Sequence, residues 1–216
     1  MKAFVIAIPN HEKSQAAADL CIESGKRYGI EISKFDAITP DAHDIYGICE
    51  RLGISTKGFL GNKYSKIDNV ISCFLSHFTL WQSCVNNNTP YVIFEHDAVI
   101  DGPIPPLPKF VGTFGKPSFG KFNTPKTLGW GKLASKNYFP GAHAYMMTPI
   151  GAHMLCNEAL VNAKPTDVFL DIRKFNWLEE YYPWSATVHD SFSTVQKIEG
   201  CMAKHNFNSE YEFLEE

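Results

Sequence analysis

Apolar and polar positions along this chain fall into blocks that read alternately as strands and helices. Phe4–Ile8 is a short apolar run of the kind a buried strand shows, and Pro9-Asn10-His11 ends it. Glu12 to Tyr28 has helical spacing and stops near Gly29. Ile30 to Ala37 predicts a second strand, closed by Thr39-Pro40-Asp41. Asp41 to Lys66, rich in Gly and turn residues, reads as irregular. The strongest helix is predicted over Asp68 to Asn86, with Val70, Ile71, Phe74, Leu75, Phe78 and Trp81 on or near one face. Asn86-Asn87-Asn88-Thr89-Pro90 stops it before a third apolar run, Tyr91–Phe94.

Beyond Asp97 comes a proline-rich turn, Pro103 to Pro108, and later another apolar strand, Ala142 to Met147. Thr148-Pro149 combines an N-cap residue with proline at the first helical position, so a helix is predicted from there to about Leu160. Lys164-Pro165 breaks it, and Val168-Phe169-Leu170 and a tail without clear pattern follow. Strands alternating with helices predict an α/β fold, a mostly parallel sheet flanked by helices in a single domain. There is no internal repeat, and neither G-x-G-x-x-G nor G-x-x-x-x-G-K-[ST] occurs, so the standard dinucleotide and P-loop fingerprints do not apply.

Composition narrows this only slightly. The 216 residues suffice for one domain with a substantial core. No apolar stretch approaches the roughly 20 residues that a membrane span needs. The first apolar run is too short for a secretory signal and lacks a small-residue cleavage site, so a cytoplasmic location is expected. The six cysteines are scattered without a C-x-x-C pair, and they read as reduced core thiols rather than disulfides or zinc ligands.

Chemistry first shows at Glu95-His96-Asp97, where the Tyr91–Phe94 strand frays into a loop. The carboxyl end of a strand is where ligands bind in open α/β sheets. Hard divalent cations such as Mg²⁺ commonly take one or two carboxylates plus substrate phosphates. An acid-x-acid pair there reads as a metal–diphosphate platform, or else as a solvated acidic turn.

Charge adds a second signal. From Gly102 to Asn157 there is no Asp or Glu, while Lys109, Lys116, Lys121, Lys126, Lys132 and Lys136 give the segment +6; the remainder, 14 basic against 23 acidic residues, carries −9. Phe110, Phe114, Phe119, Phe122, Trp130, Tyr138 and Phe139 are threaded through the same stretch. Lysines interleaved with aromatics can hold an anionic, stackable ligand. The segment 109–139 therefore also fits a non-catalytic nucleotide- or nucleic-acid-binding module, or a lysine-decorated loop whose aromatics are core.

Taken together, Cys73-Phe74-Leu75-Ser76-His77, Trp81, Tyr91 to Ala98, Gly141-Ala142-His143-Ala144-Tyr145 and Pro165-Thr166-Asp167 resemble glycosyltransferase family 25, the lipopolysaccharide- and collagen-type sugar transferases. Val5-Ile6-Ala7-Ile8 and Phe35-Asp36-Ala37 are similar to its first two strands, and the resemblance runs from about Ala3 to Val195. It implies a GT-A-like, Rossmann-type fold with a nucleotide-sugar-binding half (1–100), an acceptor-side half (101–195) and a C-terminal tail (196–216). It also implies a nucleoside-diphosphate sugar as donor, UDP-sugar foremost, with Mn²⁺ or Mg²⁺, and a glycan, protein or modified nucleic acid as acceptor. Asp97 would be the metal ligand, with His96 as a second candidate ligand. Ile8, Asn10, Ser76, His77, Glu95 and His96 would contact or support the donor. Expelling a diphosphate builds charge on the leaving oxygens, which a bridging metal can neutralise.

Two departures from the family pattern stand out. His96 occupies the place of the first Asp of a D-x-D, removing a negative charge; weaker metal binding, preference for a softer metal, or metal-independent transfer each follow from that. After the first strand, where the family often has an arginine, the chain has Asn10 and Lys13. His77, mid-helix among apolar neighbours, reads either as a satisfied buried imidazole or as a site residue. His143 could reach the acceptor or the diphosphate, or make a structural hydrogen bond. Asp167 is the leading candidate for the general base that inverting transfer requires, against a role as helix cap, with Asp171 and Asp190 behind it. His189 and Asp190 have no nucleophile at a recognisable spacing, so no hydrolase triad is read.

Overall fold

The computed structural model describes residues 1–61, 65–118, 120–139, 141–189 and 192–196, together with the backbone of 212–213. Seven strands build the central sheet: β1 (Lys2–Ala7), β2 (Ile32–Asp36), β3 (Tyr91–Glu95), β5 (Val111–Thr113), β6 (Gly129–Lys132), β7 (Ala144–Met147) and β8 (Glu179–Tyr182). Their order is β2-β1-β3-β7-β5-β8-β6. β1 runs parallel to β2 and β3, β7 runs against β3 and β5, β8 runs with β5, and β6 runs against β8. Five of the seven strands thus point one way, and the sheet is mostly parallel as the alternation of elements predicts.

Helices cover both faces, and the two-residue period of the strands sorts side chains between them. Ala3, Val5, Ala7, Val92, Phe94, Ala144 and Met146 pack with Ala18 and Cys21 of α1 (Glu12–Lys26). The alternate residues Ile6, Tyr91, Ile93, Tyr145 and Met147 pack against α3 (Ile67–Asn86) and α4 (Pro149–Asn162). Phe74, Leu75, Phe78 and Trp81 of α3 are all 1% exposed or less, and burying side chains of this size contributes about 1.5–3 kcal/mol each. The α3 stripe read from the sequence is therefore the keel of the larger core. Thr148 caps α4 by accepting from Gly151 N–H (3.2 Å), with Pro149 at its start.

The stretch 41–66, expected to be irregular, contains the helix α2 (Ile45–Leu52) and a single 3₁₀ turn, Thr56–Phe59. Asp44 caps α2 by accepting from Gly47 N–H (2.9 Å), and Gly53, at φ 71°, closes it in a left-handed conformation that costs glycine little. Its buried stripe is only Ile45 and Cys49, too short to stand out as a periodic pattern. Short strands escaped the sequence reading for the same reason: β5, β6 and β8 in the main sheet, and β4 (Ala98–Ile100) paired with β9 (Ala186–Val188). The four-residue α5 (Thr166–Phe169), the two-residue β10 (Phe192–Ser193) and β11 (Glu212–Phe213) are the remaining elements among the described residues. No described helix is long and apolar enough to cross a membrane.

Candidate active site

The carboxyl ends of β1, β2, β3 and β5 and the amino end of the reversed strand β7 lie along one edge of the sheet. There Glu95 N–H donates to His143 C=O (3.0 Å), which puts the two motifs side by side. His189 N–H donates to Asp97 C=O (2.8 Å), so the segment after β9 reaches the same edge.

Behind Glu95 runs a buried line of hydrogen bonds. Trp81 Nε1–H donates to Tyr145 Oη (2.8 Å), Tyr145 Oη lies 2.8 Å from His77 Nδ1, and His77 Nε2 lies 3.2 Å from Glu95 Oε1. An indole N–H only donates and a carboxylate only accepts. The arrangement that satisfies every atom therefore has Tyr145 donating to His77 Nδ1 and His77 Nε2–H donating to Glu95. Burial pushes the Glu95 carboxyl up, but the His77 hydrogen bond and the imidazoles of His77, His143 and His96 outweigh it and hold the group below its ordinary value. His77 is thus a positioning residue: it fixes the carboxylate and is itself fully buried.

His96 faces the β1–α1 turn. Its Nδ1 is 3.1 Å from Ser14 Oγ, which also accepts from Ile8 N–H (2.9 Å). Its ring stacks on Phe192 with centroids 5.3 Å apart, and His11 stacks on the same ring at 6.0 Å. Burial lowers His96 to about 4, so the imidazole is neutral at pH 7. Ile8 takes part through its backbone, its C=O accepting from Gln15 Nε2 (2.9 Å). Asn10, exposed on the same turn, adopts φ 58°, a left-handed conformation uncommon outside glycine and enriched in asparagine. Lys13 is exposed in the first turn of α1.

His143 is 1% exposed, and neither ring nitrogen has a hydrogen-bond partner among the described residues. Two glycines make room for it. A Cβ on Gly115 would lie 2.3 Å from Nε2, and one on Gly141, already at φ 89°, would lie 2.9 Å from Nδ1. Burial lowers this imidazole too, to about 4. Asp167 stands in α5, its carboxylate accepting from Val168 N–H (2.8 Å). Burial, with the Glu95 charge adding to it, raises the Asp167 carboxyl to about 6. A carboxylate tuned to that value is well matched to taking a proton near neutrality.

Not every residue expected at the site joins it. Ser76 is fully buried and braces α3, its Oγ donating to Ser72 C=O and accepting from Ile38 N–H (both 2.9 Å), so it has no hydrogen to offer a donor sugar. Asp171 is clasped by the Arg173 guanidinium, which lowers its carboxyl and makes it a poor base. Asp190 lies outside the described residues. The basic segment does not form one face. Lys132, on the edge strand β6, pairs in register with Glu179 at the start of β8, and Lys109 N–H bonds to the Glu179 carboxylate, away from the carboxyl edge. Lys116 is exposed beside Gly115, and Lys136 lies over Tyr138, whose hydroxyl is raised by burial and by Asp167 and Asp171. Among the described aromatics of the segment only Phe122 is exposed; Phe114 and Phe139 are core.

Conversely, the structure adds residues that sequence reasoning missed. Ser14 and Phe192 hold His96, and Cys73 stands one helical turn before His77. The Cys73 Sγ, a His77 ring nitrogen and a Glu95 carboxylate oxygen all lie within 4.8 Å of one another. The i, i+4 spacing of Cys73 and His77 was a legible signal; nothing in the sequence pointed to Phe192.

Comparison with known proteins gives this edge its setting. Residues 1–104 match the model of glycosyltransferase family 25 (LPS biosynthesis protein). A protein of Haemophilus influenzae described as a "putative glycosyltransferase" is 30% identical over 183 residues, which are 78% of this chain and 60% of that relative's length. The matched region holds β1 to β4, α3 and the Glu95-His96-Asp97 turn, so the first half of the chain, with the candidate site's acidic turn, matches glycosyltransferase family 25.

Proposed function

We propose that this protein transfers a sugar from a nucleoside-diphosphate donor, UDP-linked, to an acceptor hydroxyl, in a GT-A-like arrangement. In this reading residues 1–100 hold the donor and 101–195 the acceptor. The observation that carries it is the convergence, at one sheet edge, of Glu95, Asp97 and a buried His143 whose ring nitrogens have no hydrogen-bond partner among the described residues, with Asp167 near enough for the Glu95 charge to act on it.

The roles follow from the environments. Asp167, raised to about 6, is largely ionised at pH 7 and takes the acceptor hydroxyl's proton as it attacks the sugar carbon. His143, neutral and with both nitrogens unclaimed among the described residues, donates a hydrogen bond to an acceptor or diphosphate oxygen. Asn10 and Lys13, at the head of the β1–α1 turn, face the base or ribose. Asp97 would hold Mn²⁺ or Mg²⁺ through its carboxylate, the one- or two-carboxylate arrangement that hard cations commonly accept when a phosphate substrate is bound. His96 suits it less, because Nδ1 is engaged with Ser14 and the ring is stacked on Phe192. When bound, the ion would neutralise charge growing on the leaving diphosphate. Lys116 and Lys136 favour an acceptor that carries negative charge, an acidic glycan or modified DNA.

Thermal shift with UDP-, GDP- and CDP-sugars, with and without Mn²⁺, followed by product analysis on acidic and neutral acceptors, tests the reading. Stabilisation by one nucleotide class, lost in Asp97→Asn, is expected. If no nucleotide sugar stabilises the protein and Asp97→Asn changes nothing, the transferase reading fails. Transfer confined to neutral sugars would overturn the charged acceptor alone.

A further inference from the structure

We propose that Cys73, His77 and Glu95 form a second metal site, one for a borderline-soft divalent cation of the zinc class, distinct from the hard-cation site proposed at Asp97. Cys73 and His77 are four residues apart on α3 and so project from one face of the helix. Glu95 meets them from the end of β3, and the three donor atoms already lie within 4.8 Å of one another. The separation of His77 Nε2 from Glu95 Oε1 is 3.2 Å, close to the roughly 3.3 Å expected between two ligands of a tetrahedral ion at bonds of about 2.0–2.1 Å. Only the thiol has to swing inward to close the set.

The surroundings match what such a site needs. A metal-bound imidazole is normally held by a hydrogen bond at its other nitrogen. Here His77 Nδ1 is 2.8 Å from Tyr145 Oη, and that oxygen is fixed in turn by Trp81 Nε1–H. The tyrosine oxygen has lone pairs for both neighbours. With an ion present the imidazole proton moves to Nδ1 and donates to Tyr145, leaving the Nε2 lone pair for the metal. The Cys73 thiol gives its proton to solvent and binds as thiolate. Without a cation, burial and the charges of Glu95, Asp167 and Asp97 hold that thiol in its neutral form. A divalent ion would neutralise this crowd of acids.

The choice of metal follows from the donors. A sulfur–nitrogen–oxygen set suits Zn²⁺ or Co²⁺ and discriminates against Mg²⁺. Three protein ligands leave a fourth position open, as in zinc sites that take water or a substrate oxygen.

The test reads metal binding without activity, so its outcome is separate from the transferase reading. The full chain is stripped with a chelator and titrated with Co²⁺ and Zn²⁺. One ion per chain is expected, with a thiolate-to-cobalt charge-transfer band in the near ultraviolet and the d–d bands of a tetrahedral ion. Cys73→Ser, nearly isosteric, should abolish the charge-transfer band and weaken binding by at least about a hundredfold while leaving the far-ultraviolet circular dichroism unchanged. Cys156→Ser should retain both band and affinity. Absence of stoichiometric binding, or a band and affinity that survive Cys73→Ser, would overturn the proposal.

Discussion

His77 and His143 are buried to the same depth, at 0% and 1% exposure, and stand on either side of Glu95. Around His77 each ring nitrogen has a partner, Tyr145 on one side and Glu95 on the other. Around His143 neither has one among the described residues, and two glycines leave the ring just enough space. Folding tolerates a buried polar group cheaply only when it is paired. The first imidazole is therefore part of what holds the site together, whereas the second is left with both ring nitrogens unclaimed among the described residues. Burial alone would have classed them alike; hydrogen-bond accounting separates them.

The contrast can be broken experimentally, beginning with stability. His77→Leu strands a buried tyrosine hydroxyl and leaves Glu95 without its donor, so urea unfolding should show a loss of about 3 kcal/mol. His143→Leu removes two unpaired polar atoms, so the same measurement should move by less than about 1 kcal/mol, while transfer falls by about a hundredfold. Equal destabilisation by the two substitutions would erase the distinction.

Acidity sharpens it further. An aspartate raised from its usual 3.8 to about 6 holds its proton more tightly folded than unfolded, so its contribution to stability is present below pH 3.8 and lost as the pH rises to about 6. Asp167→Asn should accordingly be more stable than the parent at pH 7.5, by on the order of 2 kcal/mol, with the gap closing at pH 4. The parent's rate should rise with pH through about 6. His143 and His96, lowered from 6.5 to about 4, act in the opposite sense. Between those values the unfolded chain takes up protons that the folded one refuses, so stability drains as the pH falls from 6.5 to 4. His143→Leu should flatten that acid limb in a pH series of thermal melts. The smallest effect is expected at Ser14→Ala, which frees Ile8 N–H and His96 Nδ1 and should cost about 1 kcal/mol.

Much of the fold was legible where its elements are long, periodic or sharply bounded. The α3 stripe, the Tyr91–Phe94 run and the Thr148-Pro149 start each correspond to an element at nearly the expected bounds. Strands β5 and β6 are three and four residues long, interrupted by glycine at Gly112, Gly129 and Gly131, and leave no alternation to read. At the site, Glu95, His96, Asp97 and His143 could be picked out because they end or begin apolar runs. Ser76 could not be judged from sequence, since whether a helical serine serves a ligand or its own helix depends on what packs above it. Phe192 reaches His96 from 96 residues further along the chain, and only tertiary structure brings them together. The cysteines show the same limit: read as core thiols from their scatter, one of them proves to sit beside an imidazole and a carboxylate.

The claim on which the rest depends is that the carboxyl edge around Asp97 receives a nucleotide sugar. Calorimetric titration of UDP-sugar with Mn²⁺ into the parent chain and into Asp97→Asn measures this directly. Saturable binding to the parent, weakened at least about tenfold in the variant at unchanged fold, is the predicted result, a tenfold change corresponding to about 1.4 kcal/mol. Indistinguishable affinities in the two proteins would contradict it.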